Sequence, residues 1–245
     1  MCGLIGFNGK TNANPKRIKY LMKSNEARGK HSCGYYDGHK LKKAIGLTVN
    51  LKNDLKSLKT RLFIGHTRHK THGDITTSNQ HPFHYGKYVG AHNGVVLNYE
   101  EVGAKFGFNR TSVDSQMIFQ ILNHTNDYKI LGLFNNTLAT LYTKDNNRLY
   151  AYRKGNPLFC GNINGNKYFS SLRKPLEIIG CKNIFMLDEG YLYIYENGQR
   201  IVKTKIQYKP IQEHEYEVKN WWEYDTPKTK PLATSGWSLT QGKLF

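Results

Sequence analysis

The chain has no apolar run approaching the ~20 residues that a bilayer-spanning helix needs. Its first residues lack both the basic segment and the long apolar stretch of a secretory leader, which points to a protein that stays in the cytoplasm. Cysteine is scarce: four residues, at 2, 33, 160 and 181, lie far apart with no CxxC pair. That spacing fits reduced thiols and not a disulfide framework. Acidic residues are also few, 18 against 36 Lys and Arg, leaving a net charge of +18. A field of that sign attracts nucleic acid or acidic partners and steers anionic ligands. No compact basic block or basic recognition helix accompanies it, and Lys and Asn are abundant along the whole chain, so compositional bias accounts for the charge equally well. A GxxxxGK[ST] phosphate loop and an SGGxD pyrophosphatase signature are both missing.

What remains is a chain of 245 residues, 38% hydrophobic and 22% charged, enough for a packed core without staples. GLIGFN at 3–8 reads as a short buried strand. Asn14-Pro15 is an N-cap followed by an N1 proline, and opens a helix to about Arg28, which Gly29 ends. Further helices are predicted at 53–60, 99–107 and 112–124, the last with Val113, Met117, Ile118, Ile121 and Leu122 on one face. Strands are predicted at 62–67 and 87–92. From 137 onward three hairpins follow, the clearest turning at Asn197-Gly198. Helices and strands first, hairpins later, imply an α+β fold with sizeable antiparallel sheets. After residue 208 the character changes: prolines 210, 227 and 231 and tryptophans 221, 222 and 237 mark an extension at 209–245 that can wrap the 1–208 domain or dock a partner.

Cys2 follows the initiator Met1 directly. A small second residue permits removal of that methionine, which would leave one residue carrying both a thiol and a free α-amine. The two titrate near ~8.5 and ~7.7–8.0, so the amine can serve as base for the thiol close to neutral pH. Four segments line up with this thiol. They are RGKHSCG at 28–34, GHTRHKTHG at 65–73, HPF at 81–83 running to AHNG at 91–94 and Asn98, and VDSQ at 113–116. In this order and spacing they resemble the glutaminase domain of class II, N-terminal-nucleophile glutamine amidotransferases. The nearest likeness is to the amidotransferase half of glucosamine-6-phosphate synthase. It continues through RKGNPLFCG, FSSLRKPLE and LDEGYLYIYENG, so it spans roughly residues 2–200.

Glutamine presents a carboxylate and an ammonium at one end and a neutral amide at the other. A selective pocket needs a fixed cation, a fixed anion and an oxyanion site beside the nucleophile. Arg68 can hold the α-carboxylate bidentately and Asp114 can pair with the α-ammonium. The Gly94 N–H and the Asn93 amide can receive the oxyanion as Cys2 attacks. The resemblance implies the same roles, and matches Thr71, His72 and Gly73 to a strand-end loop lining the glutamine pocket. It also implies a four-layer αββα sandwich, no cofactor and no metal. This chain departs from the family pattern at His69 (tryptophan), Lys70 (alanine), His31 (aspartate) and Gln116 (glutamate). The expected function is hydrolysis of L-glutamine through a Cys2 thioester, with ammonia passed to a separate acceptor enzyme, because little chain follows residue 200.

Two other readings compete. His66, His69 and His72 recur every third residue with His81, His84 and His92 nearby, which invites a metal hydrolase. No HExxH or paired-carboxylate motif accompanies them. A basic nucleic-acid-binding protein on a relic amidotransferase fold is the alternative from another class. The joint presence of Cys2, Arg68, Asn93, Gly94 and Asp114 argues against it.

Overall fold

A computed structural model describes residues 1–71 and 73–208. His72 and the 209–245 extension lie outside the described residues, as does the domain boundary expected at 208. Two antiparallel sheets form the centre. One holds seven strands: β1 (Gly3–Asn8), β2 (Ser32–Tyr36), β3 (Leu41–Ile45), β4 (Leu62–Arg68), β9 (Phe159–Ile163), β10 (Asn166–Ser170) and β11 (Lys182–Met186). Their order is β11-β9-β10-β1-β4-β2-β3. The other holds β5 (Phe83–Tyr85), β6 (Tyr88–Val95), β7 (Thr137–Thr143), β8 (Arg148–Lys154), β12 (Tyr191–Glu196) and β13 (Gln199–Lys205), in the order β13-β12-β8-β7-β6-β5.

Alternation along each strand splits the apolar residues into separate layers. Leu4, Leu62, Ile64, Val89, Ala91, Ala139, Leu141, Leu149 and Ala151 meet between the sheets. On the far side of the seven-stranded sheet, Ile5, Phe7, Tyr35 and Phe63 pack against α1 (Pro15–Asn25), α2 (Lys52–Lys56) and α5 (Arg173–Ile178). On the far side of the six-stranded sheet, Tyr88, Leu138, Tyr142 and Tyr152 pack against α3 (Tyr99–Lys105) and α4 (Asp114–Thr125). The result is helix, sheet, sheet, helix, the four-layer sandwich expected from the resemblance.

Local chemistry explains the elements that matter for the site. Asn14 Oδ1 accepts from the backbone N–H groups of Lys16 and Arg17 at 2.9 and 3.3 Å and starts α1, with Pro15 at its first position. A 3-10 turn over Glu26–Arg28 follows, and Gly29 leaves the helix in extended conformation. This turn delivers Arg28 to the start of β1. In α4, Met117, Ile118, Ile121 and Leu122 are buried, as the periodicity predicts, and Asn126 ends the helix at φ 52°. The helix predicted at 53–60 is shorter, a 3-10 turn at Thr48–Leu51 leading into α2. The strands β2 and β5 are not anticipated by the sequence pattern, nor are the edge strands β3 and β11. β3 and β11 are short, with largely polar or exposed faces that give little period-2 signal.

Candidate active site

Cys2 stands at the N-terminal end of β1, central in its sheet, and is half-buried. The backbone of His69 brackets its sulfur: the His69 N–H donates to Sγ at 3.2 Å and Sγ lies 3.4 Å from the His69 oxygen. Burial pushes the Cys2 thiol up. The His69 N–H, the Met1 α-amine, Arg68 and Arg28 act against that shift, each favouring the thiolate. The other three cysteines are buried, and burial pushes each thiol up to about 12. Of the four cysteines, Cys2 alone is not buried. Met1 is present and half-exposed here, and burial lowers the pKa of its amine.

The Cys2 carbonyl is held twice, by Arg28 Nε at 2.7 Å and by Asn93 Nδ2 at 2.7 Å. Asn93 Nδ2 also donates to Ser171 Oγ at 2.9 Å, and that hydroxyl accepts from the Leu4 N–H at 2.9 Å. Asn93 therefore joins β6 to Cys2 and β1 across the two sheets. Gly94 follows at φ +139°, and a Cβ there would lie 2.0 Å from the Thr137 oxygen. Only glycine fits this backbone.

Arg68 ends β4 and is buried, its Nη1 donating to the Asp74 oxygen at 2.9 Å. Burial lowers its pKa, while Cys2, Asp114 and Asp74 lie close enough to favour its charged form. Asp114 opens α4; its carboxylate accepts from the Val96 N–H and the Ser115 N–H, both at 2.8 Å. Thr71 is exposed on the loop beyond Arg68. Thus Cys2, Asn93, Gly94, Arg68 and Asp114 gather at one end of the sandwich, from both sheets and one helix, beside the Thr71 loop.

The histidines separate into two groups. His66 and Arg68 share the face of β4 that looks between the sheets; the His66 ring lies 4.1 Å from that of His81, and His92 is also buried, its Nδ1 2.9 Å from Ser115 Oγ. Burial holds all three neutral, lowering His66 to about 3. His69 lies past the strand end, exposed, its ring 4.8 Å from His31. Among the described residues no group of three His, Cys, Asp or Glu side chains is arranged to hold an ion.

Sequence reasoning noted the segments containing Arg28, Ser171 and Asn156 without giving these residues a task. Arg28 and Ser171 anchor Cys2 and β1, and Asn156 Nδ2 donates to the Asn93 oxygen at 3.2 Å. Each sits inside a motif of the resemblance, which was the available signal.

No protein-family model matches the chain. It is 34% identical over 228 residues to the glutamine–fructose-6-phosphate aminotransferase (isomerizing) of Campylobacter jejuni, covering 80% of this chain and 38% of that one. The enzyme of the same name from Staphylococcus epidermidis is 31% identical over 229 residues, covering 89% and 36%. Among solved structures, a glutamine phosphoribosylpyrophosphate amidotransferase from B. subtilis matches with a TM-score of 0.72 at 20% identity, over 85% of this chain and 50% of that one. This chain carries a class II glutamine amidotransferase domain. It spans little more than a third of the length of the two aminotransferases. The match to the solved amidotransferase shows that the two share the N-terminal-nucleophile fold.

Proposed function

We propose that this amidotransferase domain hydrolyses L-glutamine to glutamate and ammonia, with Cys2 as nucleophile once Met1 is removed. The observation that supports this most directly is a thiol cradled by the His69 backbone, with Arg68 close to it and Asp114 close to Arg68. The thiolate attacks the side-chain carbonyl carbon, and the Gly94 N–H and Asn93 amide receive the developing oxyanion. To serve the oxyanion, Asn93 Nδ2 must share or exchange its bond to the Cys2 carbonyl. The carbon–nitrogen bond breaks as the α-amine, protonated by the thiol, returns that proton to the leaving amide. Ammonia departs from a γ-glutamyl thioester, and water cleaves the thioester to release glutamate and the thiol. Arg68 holds the substrate carboxylate, Asp114 its ammonium, and Thr71 and His72 line the pocket.

The acceptor of the ammonia is a separate enzyme in this reading, and the 209–245 extension is the candidate docking element. Free thiols at 33, 160 and 181 suit a reducing compartment, so the cytoplasm belongs to the same reading. No helix among the described residues is long and apolar enough to cross a membrane. The findings lend no support to nucleic-acid binding.

Ammonia and glutamate release from L-glutamine by the purified protein, beside Cys2→Ala and with the N-terminus sequenced, tests the proposal. Turnover abolished in the variant is the expected result. A correctly processed protein that neither turns over glutamine nor is labelled at Cys2 by a glutamine-like electrophile would sink it.

A further inference from the structure

His31 and His69 both depart from the family pattern, and the fold brings the two departures into contact. The ladder between β2 and β4 ends at the pair Ser32 and Arg68. Beyond that pair the backbone of 69–71 has no strand partner, yet it is this stretch that brackets the Cys2 sulfur. His31 extends the attachment. Its N–H donates to the Arg68 oxygen at 3.0 Å, and its Nδ1 accepts from the Lys70 N–H at 2.8 Å. The two bonds fall on either side of His69, and the His31 ring lies against the His69 ring. Gly29 closes the same seam from behind, since a Cβ there would lie 2.4 Å from the Arg68 carbonyl carbon.

We propose that His31 is a positioning residue: its imidazole pins residues 69–70 so that the His69 N–H stays on the Cys2 sulfur. The inference deepens the reading of Cys2 as the glutaminase nucleophile and rests on it. Without the pin, residues 69–70 keep no side-chain anchor from β2, and the N–H that favours the thiolate drifts from it. The accepting Nδ1 must be unprotonated, so the neutral ring carries its proton on Nε2. A residue here needs an acceptor at the reach of Nδ1, not a charge.

Alkylation of Cys2 by iodoacetamide reports the thiolate without requiring glutamine turnover, and the other three thiols are buried. His31→Phe keeps a ring against His69 and removes the acceptor; His31→Asn keeps an acceptor and removes the ring. Losing one exposed hydrogen bond corresponds to about a three- to tenfold slower alkylation of His31→Phe at neutral pH. The same factor should appear in kcat for glutamine, with KM unchanged, and His31→Asn should recover most of both. Wild-type alkylation rates in His31→Phe, or a His31→Asn as slow as His31→Phe, overturn the proposal. Nitrogen-15 spectra of the wild-type imidazole supply a test free of folding defects: Nε2–H with an unprotonated Nδ1 is expected, and the opposite tautomer overturns it. Slow alkylation restored by His31→Asn in a protein without glutaminase activity would retain the pin and reject the glutaminase reading.

Discussion

Two groups of histidines flank Cys2 in opposite surroundings. His66, His81 and His92 are sealed among the two sheets and α4, held neutral by the cost of burying a charge. His31 and His69 lie at the rim, the second exposed, and work through hydrogen bonds and backbone placement. The buried group can influence the site through the folding of the whole sandwich, the rim pair only through the few residues around Cys2. The same side chain is a stability element in one place and a local fixture in the other.

The strongest way to break the buried side is Gly94→Ala. The new Cβ would lie 2.0 Å from the Thr137 oxygen and 2.8 Å from His92 Nε2, at a φ of +139°. A loss of more than ~3 kcal/mol is expected, read as a collapsed thermal midpoint.

Acid should expose the same contrast. A histidine whose pKa is lowered by folding is proton-free in both states above the unfolded value, so its full contribution is present there. Below that value the unfolded chain binds the proton first, and stability falls until the folded pKa is reached. For His66 the window runs from about 6.5 down to about 3. Stability should drop by roughly 1 kcal/mol per pH unit across that window on account of His66, measured by urea unfolding at stepped pH. His69, whose pKa the nearby Met1 amine also lowers, adds to the slope just below 6.5, so His69→Asn should flatten only the upper end of the window and leave the rest in place.

Ser171→Ala sharpens the link between the regions, because the buried Ser171 hydroxyl accepts from both Asn93 and Leu4. Leaving two donors unpaired should cost about 1–3 kcal/mol, with Cys2 reactivity falling alongside. The smallest effect belongs to His69→Ala, within ~0.5 kcal/mol of wild type by denaturant unfolding, since the exposed ring leaves the backbone bonds to sulfur intact.

Much of this was legible in advance. The αββα order followed from the resemblance, and α1 and α4 from a cap and an apolar face. The gathering of Cys2, Arg68, Asn93, Gly94 and Asp114 followed from motif order. The histidine pattern was legible only as spacing. Residues 66, 69 and 72 look alike on paper, yet β4 turns His66 inward and ends before His69, so a period of three meant nothing once the strand stopped. The bonds to the Cys2 carbonyl were equally hidden, since they join residues 26 and 91 positions away.

Those two bonds bear on maturation. Arg28 and Asn93 grip Cys2 on its carboxyl side, downstream of the bond that an aminopeptidase would cut. Met1 itself brings its sulfur to 3.8 Å from Arg28 and places its amine close enough to favour the Cys2 thiolate. The Met1–Cys2 peptide lies outside the grip, so the removal of Met1 proposed above would uncover a new terminus without unseating Cys2.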